Sequence, residues 1–198
     1  MALGEGDVDA VWLDGGRMIA LVTRGSSSAV PYASSVDATG QAVSVVLADP
    51  GGPATRDYVP RLTLVAVPEG VDPAQDVAIT VTGAVRGSAP LPALAGAASD
   101  APGTPTDGAP SAAWTSAEGQ FVVLTWGSSR PPLVVADAEI TGDDEVTVTF
   151  GPPSTPMATA GFAPRATLAW VPGAVARPTT LVLQGRADVD GARVAIVG

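Results

Sequence analysis

Short apolar runs rich in Val, Ile, Leu and Thr recur along the chain, and clusters of Gly, Pro and Asp separate them. In Glu145-Val146-Thr147-Val148-Thr149-Phe150 the alternation sets Val146, Val148 and Phe150 on one face and Glu145, Thr147 and Thr149 on the other. A period of two is that of a strand with one wet side. Phe121-Val122-Val123-Leu124 is apolar at every position, as a strand covered on both faces would be. The pattern predicts strands over 9–13, 17–24, 30–37, 42–48, 60–68 and 76–83, then over 112–116, 120–126, 132–140, 145–150, 164–171, 179–185 and 193–197. Helical periodicity is nearly absent, and the two short stretches with room for a turn of helix are bracketed by prolines. An all-β chain follows, and strands of both kinds suit a two-layer sandwich better than one open sheet.

The strands repeat. With Trp12 set over Trp114, Ile19-Ala20-Leu21-Val22-Thr23 lies over Phe121-Val122-Val123-Leu124-Thr125, and Gly25-Ser26-Ser27 over Gly127-Ser128-Ser129. Further on, Tyr58-Val59-Pro60-Arg61 meets Phe162-Ala163-Pro164-Arg165, and Val67-Pro68 meets Val171-Pro172. The length differences between the halves fall in turn-like stretches, as in a tandem duplication. Between the halves lie Pro90, Pro92, Pro102, Pro105 and Pro110 among Ala, Gly, Ser, Thr and Asp. Such a composition reads as a linker. The expected organisation is a first antiparallel β-sandwich module over 1–87, immunoglobulin-like or similar, a Pro/Ala/Gly-rich linker over 88–111, and a second module over 112–198.

Composition narrows the function. The 198 residues carry 20 acids against 10 bases, a formal charge of −10, and every base is Arg. That sign repels phosphate backbones, so nucleic acid is not an expected partner. No apolar run approaches the ~20 residues of a membrane span, and Met1 to Gly6 shows neither the basic nor the apolar region of a signal peptide. Lys, His, Cys and Asn are absent. The missing Lys and Asn suggest a gene of high GC content, and the missing Cys leaves the redox compartment open.

Three stretches carry a family likeness: Gly25-Ser26-Ser27-Ser28, Pro53-Ala54-Thr55-Arg56-Asp57-Tyr58-Val59-Pro60-Arg61 and Val67-Pro68-Glu69-Gly70-Val71. In them the chain resembles small secreted or lipid-anchored actinobacterial β proteins of unknown function. Those proteins have a Cys after the serine run and another before the Thr of the second motif, which implies a disulfide between the two loops. Here Ala29 and Arg130 fall at the first Cys position, and Ala54 and Ala158 at the second. The resemblance implies an extracytoplasmic β module, and a scaffold that still brings Ala29 close to Ala54.

Few residues invite a chemical role. Ser26, Ser27, Ser28, Ser128 and Ser129 are candidate nucleophiles, but without His or Lys no Ser-His-Asp or Ser-Lys arrangement exists to activate them. Asp143-Asp144-Glu145 offers paired carboxylates, yet it sits where a hairpin tip is expected, and the first half has Gln41-Ala42 there. Asp188-Val189-Asp190-Gly191 has the spaced acids of a calcium loop without the rest of the ligand series, and Asp190-Gly191 reads first as a hairpin turn. Asp49-Pro50-Gly51-Gly52 likewise reads as a turn.

Trp12, Trp114, Tyr58 and Phe162 recur at equivalent positions and are expected in the cores. Trp126 and Trp170 face Arg24 and Ala66 in the other half, so the fold does not demand them, and they are the expected contacts for a protein or glycan partner. The expected function is a non-enzymatic, extracytoplasmic interaction or structural protein without cofactor or metal. A carbohydrate-binding module and a structural component of a viral or other particle are the alternatives.

Overall fold

The computed structural model describes residues 8–128, 133–152, 161–172 and 177–198. The chain is all-β, and no α-helix occurs among the described residues. None of their helices is long and apolar enough to cross a membrane. Contacts divide the chain into two compact units, Met1–Pro105 and Thr106–Gly198.

The first unit contains β1 (Asp9–Leu13), β2 (Met18–Gly25), β3 (Tyr32–Thr39), β4 (Ala42–Ala48), β5 (Val59–Ala66), β6 (Val77–Gly83) and β7 (Gly87–Leu91). They form two sheets, β1-β2-β5 and β3-β4-β6-β7. The second unit contains β8 (Ser111–Trp114), β9 (Gln120–Gly127), β10 (Val135–Gly142), β11 (Glu145–Phe150), β12 (Ala163–Trp170), β13 (Thr180–Gln184) and β14 (Arg193–Val197). Its strand order is β10-β11-β13-β14-β8-β9-β12, and β14 joins β8 in parallel through Ile196 and Val197. Each strand therefore has the same neighbours as the strand seven places earlier; only the bonded joint from β14 to β8 differs, since β7 runs alongside β1 in a separate sheet.

The pairing departs from the antiparallel, immunoglobulin-like arrangement read from the sequence. β4 pairs with β6 in parallel, and β11 with β13 in parallel. In each case the intervening strand, β5 or β12, belongs with β2 or β9 instead, so the chain leaves the pair and returns in the direction it left. An immunoglobulin sheet places its third strand beside its sixth, whereas here β4 takes that place and β3 lies at the edge.

The core of the first unit draws on both of its sheets. Trp12, Ile19, Leu21 and Val65 from β1-β2-β5 meet Val43, Val45, Leu47, Ile79 and Val81 from β4 and β6. β4 alternates cleanly: Val43, Val45 and Leu47 are buried, whereas Ala42, Ser44 and Val46 are exposed. In the second unit Trp114, Phe121, Val123, Val146, Val148, Phe150, Leu181 and Leu183 form the corresponding cluster. Both tryptophans are buried as expected, and each satisfies its indole N–H at a proline carbonyl. Trp12 donates to Pro92 at 2.7 Å and Trp114 to Pro178 at 3.0 Å.

The stretch read as a linker over 88–111 is structured at its start. β7 pairs antiparallel with β6 and buries Ala89 and Leu91. Pro90 fits there because β7 ends its sheet, so one side of its backbone has no ladder bond to lose. Beyond it, Leu94 N donates to Pro73 O at 2.7 Å and Ala101 is buried, so this segment belongs to the first unit up to Pro105.

Candidate functional site

β2 and β5 are antiparallel with Gly25 opposite Val59 and Thr23 opposite Arg61. The segment that leaves β2 and the segment that enters β5 therefore emerge at the same end of the sheet. A cleft of ≈ 870 Å³ opens there, with Ser26, Ala29, Thr55, Tyr58, Arg61 and Ala84 in its wall.

One side of the cleft is a hydroxyl network around Asp57. The carboxylate accepts bonds from Thr55 Oγ1 and from Ser27 N, the latter at 3.1 Å. Ser26 Oγ meets Thr55 Oγ1 at 2.7 Å, and Ser28 Oγ accepts from Thr55 N at 3.0 Å. Side-chain hydrogen bonds from Ser27 and Thr55 hold the Asp57 carboxyl down to about 2. Such a group is ionised at neutral pH and is a poor proton acceptor, because a useful base has its pKa near the working pH. The serine run thus ties two loops together, the role expected of Ser in a turn.

The other side is built on Arg61, which is only 7% exposed. Its Nη1 donates to Ala29 O at 2.7 Å and its Nη2 to Arg24 O at 3.0 Å, while the buried Nε has no partner. Gly25 lies flat against the guanidinium: a Cβ there would fall 2.6 Å from Cζ. Burial draws the Arg61 pKa down, and the nearby Asp49 and Tyr58 oppose that shift. The second unit has a related arrangement, in which Arg165 Nε is likewise buried without a partner. Arg165 Nη2 donates to Trp126 O at 2.8 Å and also to Asp188 Oδ2 at 2.8 Å, and Gly127 lies against its guanidinium. Burial alone would raise the Asp188 pKa, but hydrogen bonds, that from Arg165 foremost, bring it below the usual value.

The chain matches no family model, no curated protein and no solved structure. Any function must therefore be read from the geometry itself.

The residues singled out from the sequence are distributed as follows. Tyr58 and Phe162 are not core anchors: they are 57% and 66% exposed. Each stands immediately before its strand, β5 or β12, where no opposing sheet covers it. Trp126 is half-buried and stacks on Phe162, with ring centroids 5.4 Å apart and planes 16° from parallel. Trp170 is 59% exposed and donates its indole N–H to Glu118 O at 3.2 Å. In the β9–β12 ladder Trp126 lies opposite Pro164, and Trp170 opposite Gln120. The two indoles thus occupy the two ends of one sheet face, ~20 Å apart at ~3.4 Å per residue.

Five of the candidate acids have structural partners. Asp144 binds the hydroxyl and the N–H of Thr179, which lowers its pKa. Glu145 pairs with Arg193. Asp188 pairs with Arg165 and Arg186, and Asp190 accepts from Gly185 N at 2.9 Å. Asp49 accepts from Gly51 N at 2.8 Å within its own turn. Among the described residues no cluster of three or more metal-ligating side chains is assembled. Ala29 and Ala54 both line the cleft, whereas Ser129, Arg130 and Ala158 lie outside the described residues. Sequence reasoning missed Arg61 and Arg165, although both stand in the repeated Pro-Arg pair that opens β5 and β12.

Proposed function

We propose that this chain is a tandem pair of related β-sandwich modules acting as a non-enzymatic, extracytoplasmic binding protein whose binding site is the loop-end cleft of the first unit. The identical strand neighbours of β1–β7 and β8–β14 support a common origin for the units. A core fed by both sheets of the first unit supports the sandwich reading. The extracytoplasmic part rests on the likeness of the serine and Arg-Asp-Tyr motifs to secreted proteins.

One observation carries the binding reading. A cleft within the size range of small-molecule sites gathers hydroxyls, two carboxylates and a buried guanidinium; Asp57 is held ionised by its hydrogen bonds, and Asp49 accepts from Gly51 N within its own turn. Carboxylates engaged in their own loops, in a chain with no His or Lys to activate the serines, support fixing a ligand rather than transforming it. Backbone amide shifts of the full chain, recorded against small acids, short peptides and oligosaccharides, test the proposal. The expected result is saturable change confined to residues 26–31 and 53–61 for one class, with every compound recovered intact. Turnover of any of them would overturn the non-enzymatic reading, and shifts gathered at Trp126, Phe162 and Trp170 would move the site to the second unit.

A further inference from the structure

Each buried arginine binds one strand-end carbonyl, Arg24 O or Trp126 O, and they differ in the other partner, Ala29 O for Arg61 and Asp188 for Arg165. In the second unit the residue immediately before the buried Val189 is Asp188, whose carboxylate neutralises Arg165 at 2.8 Å. In the first unit the residue immediately before the buried Val85 is Ala84, and the connection that follows Gly83 is shorter. Ala84 and Arg61 line the cleft together. Where one unit carries its own carboxylate, the other presents a methyl group beside open volume. Among the described residues no acid forms an ion pair with Arg61.

The hydrogen-bonding inventory of Arg61 shows what is left over. A guanidinium has five N–H donors, of which Arg61 gives one to Ala29 O and one to Arg24 O. Arg165 shows which of the remaining donors a carboxylate takes: its Nη2 serves both Trp126 O and Asp188 Oδ2, while its Nε, like that of Arg61, is buried without a partner. A buried arginine stays charged, and Nη2 of Arg61, bonded to Arg24 O alone, keeps one N–H for an anion where Nη2 of Arg165 meets Asp188. The two nearby acids do not fill the role: Asp49 bonds Gly51 N, and Asp57 bonds Thr55 and Ser27. Their charges also disfavour a ligand with several negative groups. The exposed ring of Tyr58, with Ala29, Pro31 and Ala54, offers apolar surface next to the guanidinium.

We infer that the first unit contains a carboxylate-binding site, in which Arg61 takes the ligand's carboxylate where Arg165 takes Asp188, and Tyr58 packs on an apolar or aromatic body. The inference deepens the binding reading above and rests on it. The carboxylate belongs to a free organic acid or to the C-terminus of a peptide, and both present the same group to Arg61.

Benzoate is the probe, titrated into the full chain at low salt with amide shifts as the readout. Saturable one-to-one shifts at residues 26–31 and 58–61 are expected, with benzamide, which lacks the charge, weaker by at least about tenfold. Ala84→Asp supplies the carboxylate that the second unit already has. Ala84 is exposed, so the substitution is compatible with folding, and it should abolish benzoate binding without lowering the melting temperature. Asp188→Ala should leave benzoate binding at residues 26–31 and 58–61 unchanged. A tripeptide ending in Phe distinguishes the sources: a free C-terminus binding at least about tenfold more tightly than benzoate identifies a peptide ligand, and equal affinity identifies a small acid. No saturation by benzoate or by the tripeptide up to about 10 mM, or binding that survives Ala84→Asp, overturns the inference. If neutral peptides or sugars still shift residues 26–31, the binding reading outlives it; if every compound is silent, both fall.

Discussion

Arg61 and Arg165 are the two buried cations among the described residues, and each is held by a carbonyl near the end of the neighbouring strand, Arg24 of β2 or Trp126 of β9. Desolvating a charge is costly unless fixed dipoles replace the lost water, and the carbonyls of Arg24, Ala29 and Trp126 provide those dipoles. Gly25 and Gly127 make the contact possible, because a Cβ at either would fall about 3 Å or less from the guanidinium carbon. Across the cleft, Asp57 yields a pH prediction. Its folded pKa of about 2 lies below the ordinary 3.8, so the carboxylate stabilises its loop fully above about pH 4. That stabilisation is lost as pH falls through the folded value. A carboxyl titration should give a midpoint near 2, and the amides of Ser27 and Thr55 should shift with the same midpoint. In Asp57→Asn both amides should be silent over that range; a midpoint near 3.8 would mean that the network does not hold the carboxylate.

At the scale of elements, β9 and β12 show how one face serves two purposes. Phe121 and Val123 point into the core of the second unit, whereas Val122 and Leu124 are buried on the opposite face. That opposite face carries Trp126 and Trp170 at its two ends. Their environments differ, and so should their substitutions. Trp126→Ala removes a stacked partner of Phe162 and a half-buried indole, which should cost about 1 to 3 kcal/mol. Trp170→Ala removes a mostly exposed ring and one long hydrogen bond, and should cost below about 1 kcal/mol. Denaturant midpoints of the two variants rank them, and the reverse order would contradict the burial of the two rings.

For the whole molecule, the two cores are separate clusters of side chains, each centred on a tryptophan that anchors a proline carbonyl. Trp12→Ala and Trp114→Ala should each cost about 3 to 5 kcal/mol, but in different places. Hydrogen exchange should accelerate across β1–β7 for Trp12→Ala and across β8–β14 for Trp114→Ala. Equal acceleration in both units for either variant would mean that the chain opens as one cooperative body rather than by the two units its contacts define.

The sequence by itself determined where most of the strands lie, because an alternation such as that of Val43, Val45 and Leu47 with polar or small neighbours is written in adjacent residues. β1, β4, β11 and β14 fall on the stretches read for them, and the burial of Trp12 and Trp114 followed from their recurrence. The same recurrence misled for Tyr58 and Phe162: a repeated position does not tell which side of the backbone meets water. β7 was hidden because Pro90 and Pro92 suggest a linker unless one knows that the strand ends its sheet. Only the tertiary structure decided that β4 runs parallel to β6, that the loops around Ser26 and Thr55 share one cleft, and that Ala84 stands where a carboxylate would neutralise Arg61. Each of these depends on segments some 20 to 40 residues apart in sequence, and a period of two carries no information about which distant strand a given strand will pair with.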